Sequence, residues 1–268
     1  MTRAVWDIPL ALPRHAVSPR DTARAGDVWR VFQEAAVEAS TRAGWSPERY
    51  REAGTAFVVR GMTVRHHRET TYGRTLRART WVWNFKRDML STREVRLEDE
   101  RGPVASATQE WVHVDASLRL VRASEELKAA FPPYEEGGES VQLPEHEPRE
   151  GALRTMRLRA WYTWMDPLAH ANHPAYVDWC DEQTSRVMAQ AGLDPFALQP
   201  VADRAGFRAG VTAPEQVTVE TRRRGVTAEG DVVLGHRIVR EDGALAAQLT
   251  TVRRLATGDT AALAAAFD

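Results

Sequence analysis

The feature that most constrains this chain is a repeat within it. Residues 27–47, DVWRVFQEAAVEASTRAGWSP, align without a gap on residues 175–195, AYVDWCDEQTSRVMAQAGLDP, at a constant offset of 148 (175 minus 27, 195 minus 47). In each copy the side chains suited to burial recur at the i, i+3, i+4, i+7, i+11 spacing of one helical stripe. They are Val28, Val31, Phe32, Ala35 and Ala39 in the first copy, and Tyr176, Trp179, Cys180, Gln183 and Val187 in the second. Gly44 and Gly192 stand where a left-handed residue ends a helix, and a proline follows each three residues later. Two amphipathic helices often look alike, but a gapless match that carries its stop signals argues for duplication.

Segments rich in Val, Thr and Trp follow each helix and read as strands separated by turns. In the first half they are 55–65, 75–85, 92–98 and 104–114, with a turn over 99–103; in the second they are 217–221, 231–239 and 244–255, with a turn over 241–243. Residues 153–164 form a further strand-like run ahead of the second helix. Residues 131–151, FPPYEEGGESVQLPEHEPREG, are dense in Pro, Gly and Glu without periodicity and read as a linker. Each half is thus a strand, a helix and then several antiparallel strands.

Composition narrows the class. Lys and Arg number 36 against 37 Asp and Glu, so a net charge of -1 supplies no global field toward nucleic acid or membrane. Cys180 is the sole cysteine, which excludes an internal disulfide and a multi-thiolate metal site and suits a reducing compartment; the expected location is the cytoplasm. Asp7 interrupts the apolar start and no cleavage pattern follows it, so no signal peptide is expected. No apolar run approaches the roughly 20 residues needed to span a bilayer.

The chemistry-bearing stretch is WMDPLAHANHPAYVDWCDE, residues 164–182. Pro174 fits the first helical position, where a missing N–H costs nothing, and this puts His173 at the cap. The order Asp166, His170, Asn172, Tyr176, Trp179 resembles the D-x-x-G-H-x-N-x-x-x-Y-x-x-W signature of the hotdog thioesterases, especially the 4-hydroxybenzoyl-CoA thioesterase branch. The whole chain also resembles the double-hotdog acyl-ACP thioesterases, through Arg79-Thr-Trp-Val-Trp, Trp111-Val-His-Val-Asp with Leu118-Arg-Leu-Val-Arg, and Glu220-Thr-Arg222-Arg223-Arg224.

The resemblance implies an α+β fold of two hotdog halves, 1–130 and 152–268, joined by the linker, each an antiparallel sheet wrapped around a central helix. It implies hydrolysis of an acyl-CoA or acyl-ACP thioester, with Asp166 as nucleophile or general base and His170, Asn172 and His173 beside it. N–H groups at the helix start would hold the developing oxyanion. Tyr176 and Trp179 would line the pocket, while Arg222, Arg223 and Arg224 would meet phosphates or an acidic carrier. No cofactor, metal, nucleic acid or membrane partner is implied, and a homodimer stays open.

At the repeat offset Asp166 corresponds to Ser18 and His170 to Thr22, so one catalytic motif per chain is expected. Ser18 has no evident base beside it. The chain departs from the plant acyl-ACP pattern at Leu168, where Asn is usual, and at Arg224-Gly225, where Glu-Cys is usual. Ala169 replaces the customary glycine.

Other readings stay open at this stage. Asp166 and Asn172 also suit plain turn and cap roles, and an arginine run also suits a solvated strand edge. His66 and His67 are adjacent and face opposite ways on a strand, and with His113 and His236 they form no metal spacing. A hotdog-fold acyl-CoA hydratase or dehydratase, and a non-catalytic acyl or carrier-protein binding module, are the alternative functions.

Overall fold

The computed structural model describes residues 4–134 and 139–268 and divides into two compact units, one of residues 1–16 and 28–142 and the other of 17–27 and 143–268. Residues 135–138, inside the segment read as a linker, lie outside the described residues.

The first unit holds β1 (Val5–Ala11), most of α1 (Ala25–Arg42), the short α2 (Pro47–Glu52), β2 (Thr55–His66), β3 (Thr75–Lys86), β4 (Leu90–Asp99), β5 (Gly102–Asp115) and α3 (Glu125–Ala130). Its strands pair antiparallel in the order β1-β3-β4-β5-β2. The second unit holds β6 (His146–Pro148), β7 (Arg154–Arg159), α4 (His173–Gln190), β8 (Leu198–Phe207), β9 (Gln216–Thr227), β10 (Val232–Arg240), β11 (Leu245–Leu255) and α5 (Thr260–Ala265). Here the antiparallel order is β7-β9-β10-β11-β8, with β6 also on β9. The two sheets share one topology, and each has a long helix as its centrepiece: the expected hotdog fold of α+β class.

The duplication is sharper in three dimensions than in sequence. Helices α1 and α4 both span 18 residues, and both ends keep the offset (173 minus 25 and 190 minus 42 are each 148). All ten stripe residues of the two helices are buried. Gly44 and Gly192 take left-handed φ of 86° and 74°. In the next residues the Trp45 N–H donates to the Ser40 carbonyl and the Leu193 N–H to the Met188 carbonyl, the long C-terminal bond of a Schellman motif in both copies.

Several elements escaped the sequence patterns. β8 and the short helices α2, α3 and α5 carry too few periodic positions to register. β9 is far longer than the expected 217–221, since its arginines interrupt the apolar pattern while the backbone pairing continues through them. The run 153–164 breaks after Arg159 into a 3-10 turn at Tyr162–Trp164.

The interiors differ in charge. In the second unit Arg253 is fully buried and pairs with Asp181 at 2.8 Å and buried Asp203 at 2.7 Å. Beside it His236 is held by the hydroxyls of Thr221 (2.8 Å) and Thr251 (2.9 Å). Burial, with the Arg253 charge, pushes its pKa down to about 3. In the first unit Arg93 is also buried, yet it reaches only the Thr80 hydroxyl at 3.2 Å and the face of Phe131, with no ion pair among the described residues. Burial lowers its pKa to about 10.

Candidate active site

The stretch 165–171 is a tight hairpin closed by a bridge between Met165 and Ala171. The Asp166 N–H donates to the His170 carbonyl at 2.8 Å, the Ala169 N–H donates to the Asp166 carbonyl at 2.9 Å, and Ala169 turns the chain at φ 61°. The half-buried Asp166 carboxylate is fixed through one oxygen. Its Oδ1 accepts from the Leu168 N–H at 2.8 Å and the His170 N–H at 3.4 Å, while Oδ2 has no hydrogen bond among the described residues.

The earlier repeat builds the same hairpin 148 residues before. Val17 bridges Ala23, the Ser18 N–H donates to the Thr22 carbonyl at 2.7 Å, the Asp21 N–H donates to the Ser18 carbonyl at 2.9 Å, and Asp21 sits at φ 60°. The Ser18 Oγ accepts the Arg20 N–H at 3.2 Å, as Asp166 Oδ1 accepts that of Leu168. A serine is therefore sufficient to stabilise this turn.

The residue preceding α4 is Asn172, not His173, which is the first residue of the helix; Pro174 is the second. The one-residue shift from expectation follows because any of the first helical positions tolerates a missing N–H, not the first alone. Asn172 makes no side-chain capping bond, and its Oδ1 is buried without a hydrogen-bond partner among the described residues. Such a group calls for an explanation, since leaving a buried acceptor unbonded costs about 1–3 kcal/mol.

Two residues that no sequence pattern singled out complete the setting. The ring of His170 lies against Gly210, where a β-carbon would fall 2.2 Å from the imidazole. Next to it the Ala171 N–H donates to the Val211 carbonyl at 2.8 Å, and the Val211 N–H donates to the Tyr176 hydroxyl at 3.2 Å. The 208–215 loop thus braces both the hairpin and the first turn of α4. A lone glycine in an aperiodic stretch was the available signal for it.

Aromatic rings form the wall beneath. Tyr176 packs on Trp179 (4.7 Å between centroids) and Phe207 (5.3 Å), His173 approaches Phe207 (6.0 Å), and Trp164 meets Trp179 (5.3 Å). Burial, with smaller contributions from the Glu215 and Asp166 charges, pushes the Tyr176 pKa up to about 12, so its hydroxyl stays protonated at neutral pH. Around the hairpin Trp161 and Tyr162 are 65% and 85% exposed, and Leu168 is 39% exposed. This is an apolar rim beside a carboxylate.

Asp166, His170, Asn172, His173, Tyr176 and Trp179 therefore share one neighbourhood. The three arginines do not join it as a group. β9 is an interior strand, flanked by β10 on one side and β6 and β7 on the other, so the strand-edge reading of the run is corrected. Arg223 is buried and donates to the Ala264 carbonyl and the Asp268 carboxylate. Arg222 and Arg224 reach Glu150 at 3.5 and 3.3 Å. The period of two in a strand directs them to the face opposite Arg223. Buried Cys180 has its thiol pKa raised well above the usual value by burial, which suits packing and not nucleophilic attack. Among the described residues no group of three or more His, Cys, Asp or Glu is set to hold a metal ion, and no helix is long and apolar enough to cross a membrane.

Residues 12–131 match the family model of the acyl-ACP thioesterase N-terminal domain. No curated protein matches the sequence. Among solved structures, a protein assigned as an oleoyl thioesterase from Lactobacillus plantarum superposes with a TM-score of 0.78 at 17% identity, covering 95% of this chain and 97% of its own. The 12:0-ACP thioesterase from Umbellularia californica gives 0.73 at 17% identity, covering 95% of each chain. An acyl-ACP thioesterase from Bacteroides thetaiotaomicron gives 0.72 at 11% identity, covering 94% of this chain and 98% of its own. At these identities the structural likeness speaks for the fold. Residues 12–131 are thus similar to the acyl-ACP thioesterase N-terminal domain, and the hotdog fold runs along nearly the whole chain.

Proposed function

We propose that this protein hydrolyses acyl-ACP or acyl-CoA at the 165–171 hairpin, with Asp166 as general base or nucleophile. One observation carries the reading: the same hairpin closes around Ser18 in the earlier repeat, so the carboxylate exceeds what the turn requires. Its Oδ1 is anchored by two N–H groups, which aims Oδ2 without occupying it. The exposed apolar rim of Trp161, Tyr162 and Leu168 suits an acyl chain, and the buried Asn172 Oδ1 provides an acceptor for a water or a substrate N–H.

In the general-base route Oδ2 takes a proton from water as its oxygen attacks the thioester carbonyl carbon. The positive end of the α4 dipole favours the oxyanion that forms. Collapse re-forms the carbonyl and breaks the C–S bond, and the departing thiolate takes the proton. In the nucleophilic route Oδ2 attacks the carbonyl carbon and the C–S bond breaks, releasing thiolate and leaving a mixed anhydride; water then cleaves the anhydride to free the acid and restore the Asp166 carboxylate, and the proton released goes to the thiolate.

Thiol release from acyl-CoA and acyl-ACP, wild type against Asp166→Asn, tests the proposal. A fall of roughly 10²–10⁴-fold with the fold intact is expected for loss of a general base. Equal thiol release by the two forms would refute the role of Asp166. Hydration or double-bond formation without free thiol would favour the hydratase reading, and ligand binding without any turnover would favour the binding module.

A further inference from the structure

Three polar groups in the hairpin and the first turn of α4 each keep an unused hydrogen-bonding position. Asn172 Oδ1 is buried and accepts from no donor among the described residues. The Tyr176 hydroxyl accepts the Val211 N–H at 3.2 Å, and no acceptor for its own proton stands among the described residues. The Asp166 carboxylate engages the Leu168 and His170 N–H groups through Oδ1 alone. Tyr176 is only 3% exposed, so its idle O–H is a cost borne inside the protein.

Backbone contacts draw the three together. Tyr176 follows Asn172 by four residues, about one helical turn, and long side chains on a helix lean toward its N-terminus. The hydroxyl accordingly meets the Val211 N–H, while the Val211 carbonyl accepts from the N–H of Ala171, the neighbour of Asn172, at 2.8 Å. The Asn172 N–H donates to the Trp164 carbonyl at 2.8 Å, two residues before Asp166. The charges of Glu215 and Asp166 both act on Tyr176. Both oxygens of Glu215 are engaged, by Arg240 at 2.7 Å and by the Thr212 N–H at 3.3 Å, so of the two carboxylates Asp166 is the one with an open oxygen.

The unused positions are one donor and two acceptors. A single water molecule is their complement: it would accept from Tyr176 and donate to Asn172 Oδ1 and Asp166 Oδ2, and buried waters typically make about three such bonds. A substrate amide, with one N–H, would leave one acceptor idle. With both protons and one lone pair of the water engaged, its second lone pair is available to a carbonyl carbon. Asn172 makes no capping bond, so the start of the helix does not account for it.

We propose that Tyr176 and Asn172 position the attacking water against Asp166 Oδ2, so that hydrolysis runs by the general-base route. The inference rests on the hydrolase reading and adds to it the nucleophile and the two side chains that hold it. Oδ2 takes one water proton as the oxygen bonds to the thioester carbonyl carbon, while Asn172 retains the other. The C–S bond then breaks, and the thiolate takes the proton from Asp166.

Steady-state thiol release by the purified full chain tests this. Tyr176→Phe and Asn172→Ala should each lower kcat by roughly 10- to 100-fold with KM unchanged, the scale on which a misplaced reacting group acts. In the double variant the loss should fall well short of the product of the single losses, because both residues hold one molecule. Asn172→Asp keeps the acceptor and sets a second carboxylate about 4.5 Å from Oδ2, the spacing of two acceptors on one water. The acid limb of its kcat profile should therefore move up by about one pH unit or more, with kcat near wild type above it. Melting curves separate these effects from unfolding, and Asn172→Asp keeps the test decisive if Tyr176→Phe does not fold. Unchanged kcat in the single variants, fully multiplicative losses, a raised KM at constant kcat or an unmoved acid limb would overturn the water site and leave the hydrolase reading standing. Absence of thiol release from the wild type would overturn both.

Discussion

The hairpins at 17–23 and 165–171 have one backbone and two chemistries. Both are closed by the same bridge and the same pair of backbone bonds, with a left-handed residue at the same repeat position, Asp21 in one and Ala169 in the other. One carries Ser18 and Thr22, the other Asp166 and His170. The comparison teaches that the turn is a scaffold the duplication preserved, and that the carboxylate and imidazole are additions that the scaffold does not need.

The largest test exchanges the two chemistries. Asp166→Ser copies the earlier repeat, so the protein should fold with its melting temperature close to wild type while thiol release falls by about 10²–10⁴-fold. A variant that unfolds would show the carboxylate to be a structural part of its hairpin after all, and the contrast would collapse.

The comparison extends to the interiors of the repeats. Arg253→Met strands buried Asp203 and should destabilise the protein by about 3–5 kcal/mol in chemical denaturation. Arg93→Met removes a buried cation that has no ion pair among the described residues, so it should be close to neutral or stabilising. Equal losses for the two variants would contradict the difference drawn between the two interiors.

His236 sharpens the same contrast through pH. Its folded pKa of about 3 lies below the ordinary 6.5, so between those values the unfolded chain binds the extra proton. The stability associated with neutral His236 is complete above about pH 6.5 and is lost as pH falls toward 3, by up to about 1.4 kcal/mol per pH unit. His236→Gln should flatten that part of the stability profile; an unchanged slope would show that other groups produce it.

The smallest effect belongs to the scaffold itself. Ser18→Ala removes the acceptor for the Arg20 N–H and should cost about 0.5–1.5 kcal/mol without altering the rate of thiol release. A large fall in the rate would show the earlier hairpin to be more than scaffold.

Much of this was legible in the residues. The repeat, its two helices with their glycine stops and most of the strands follow from local spacing, because a helix or strand imposes its period on the side chains it buries. The neighbourhood of Asp166, His170, Asn172, Tyr176 and Trp179 was legible too, since its members sit within one hairpin and the helix that follows. β8 and the far half of β9 were not: a polar strand inside a sheet is held by pairing with neighbours remote in sequence.

By itself, then, the sequence determined the duplicated plan and the one stretch where carboxylate, imidazole and amide converge. The tertiary structure decided what contacts at a distance decide. Only β-sheet register could direct Arg223 toward the side-chain carboxylate of Asp268 and Arg222 and Arg224 to the opposite face. Only chain packing could bring Gly210 onto His170, or give Arg253 two carboxylates and Arg93 none among the described residues. Periodicity records which side of an element faces inward; it does not record which element waits there.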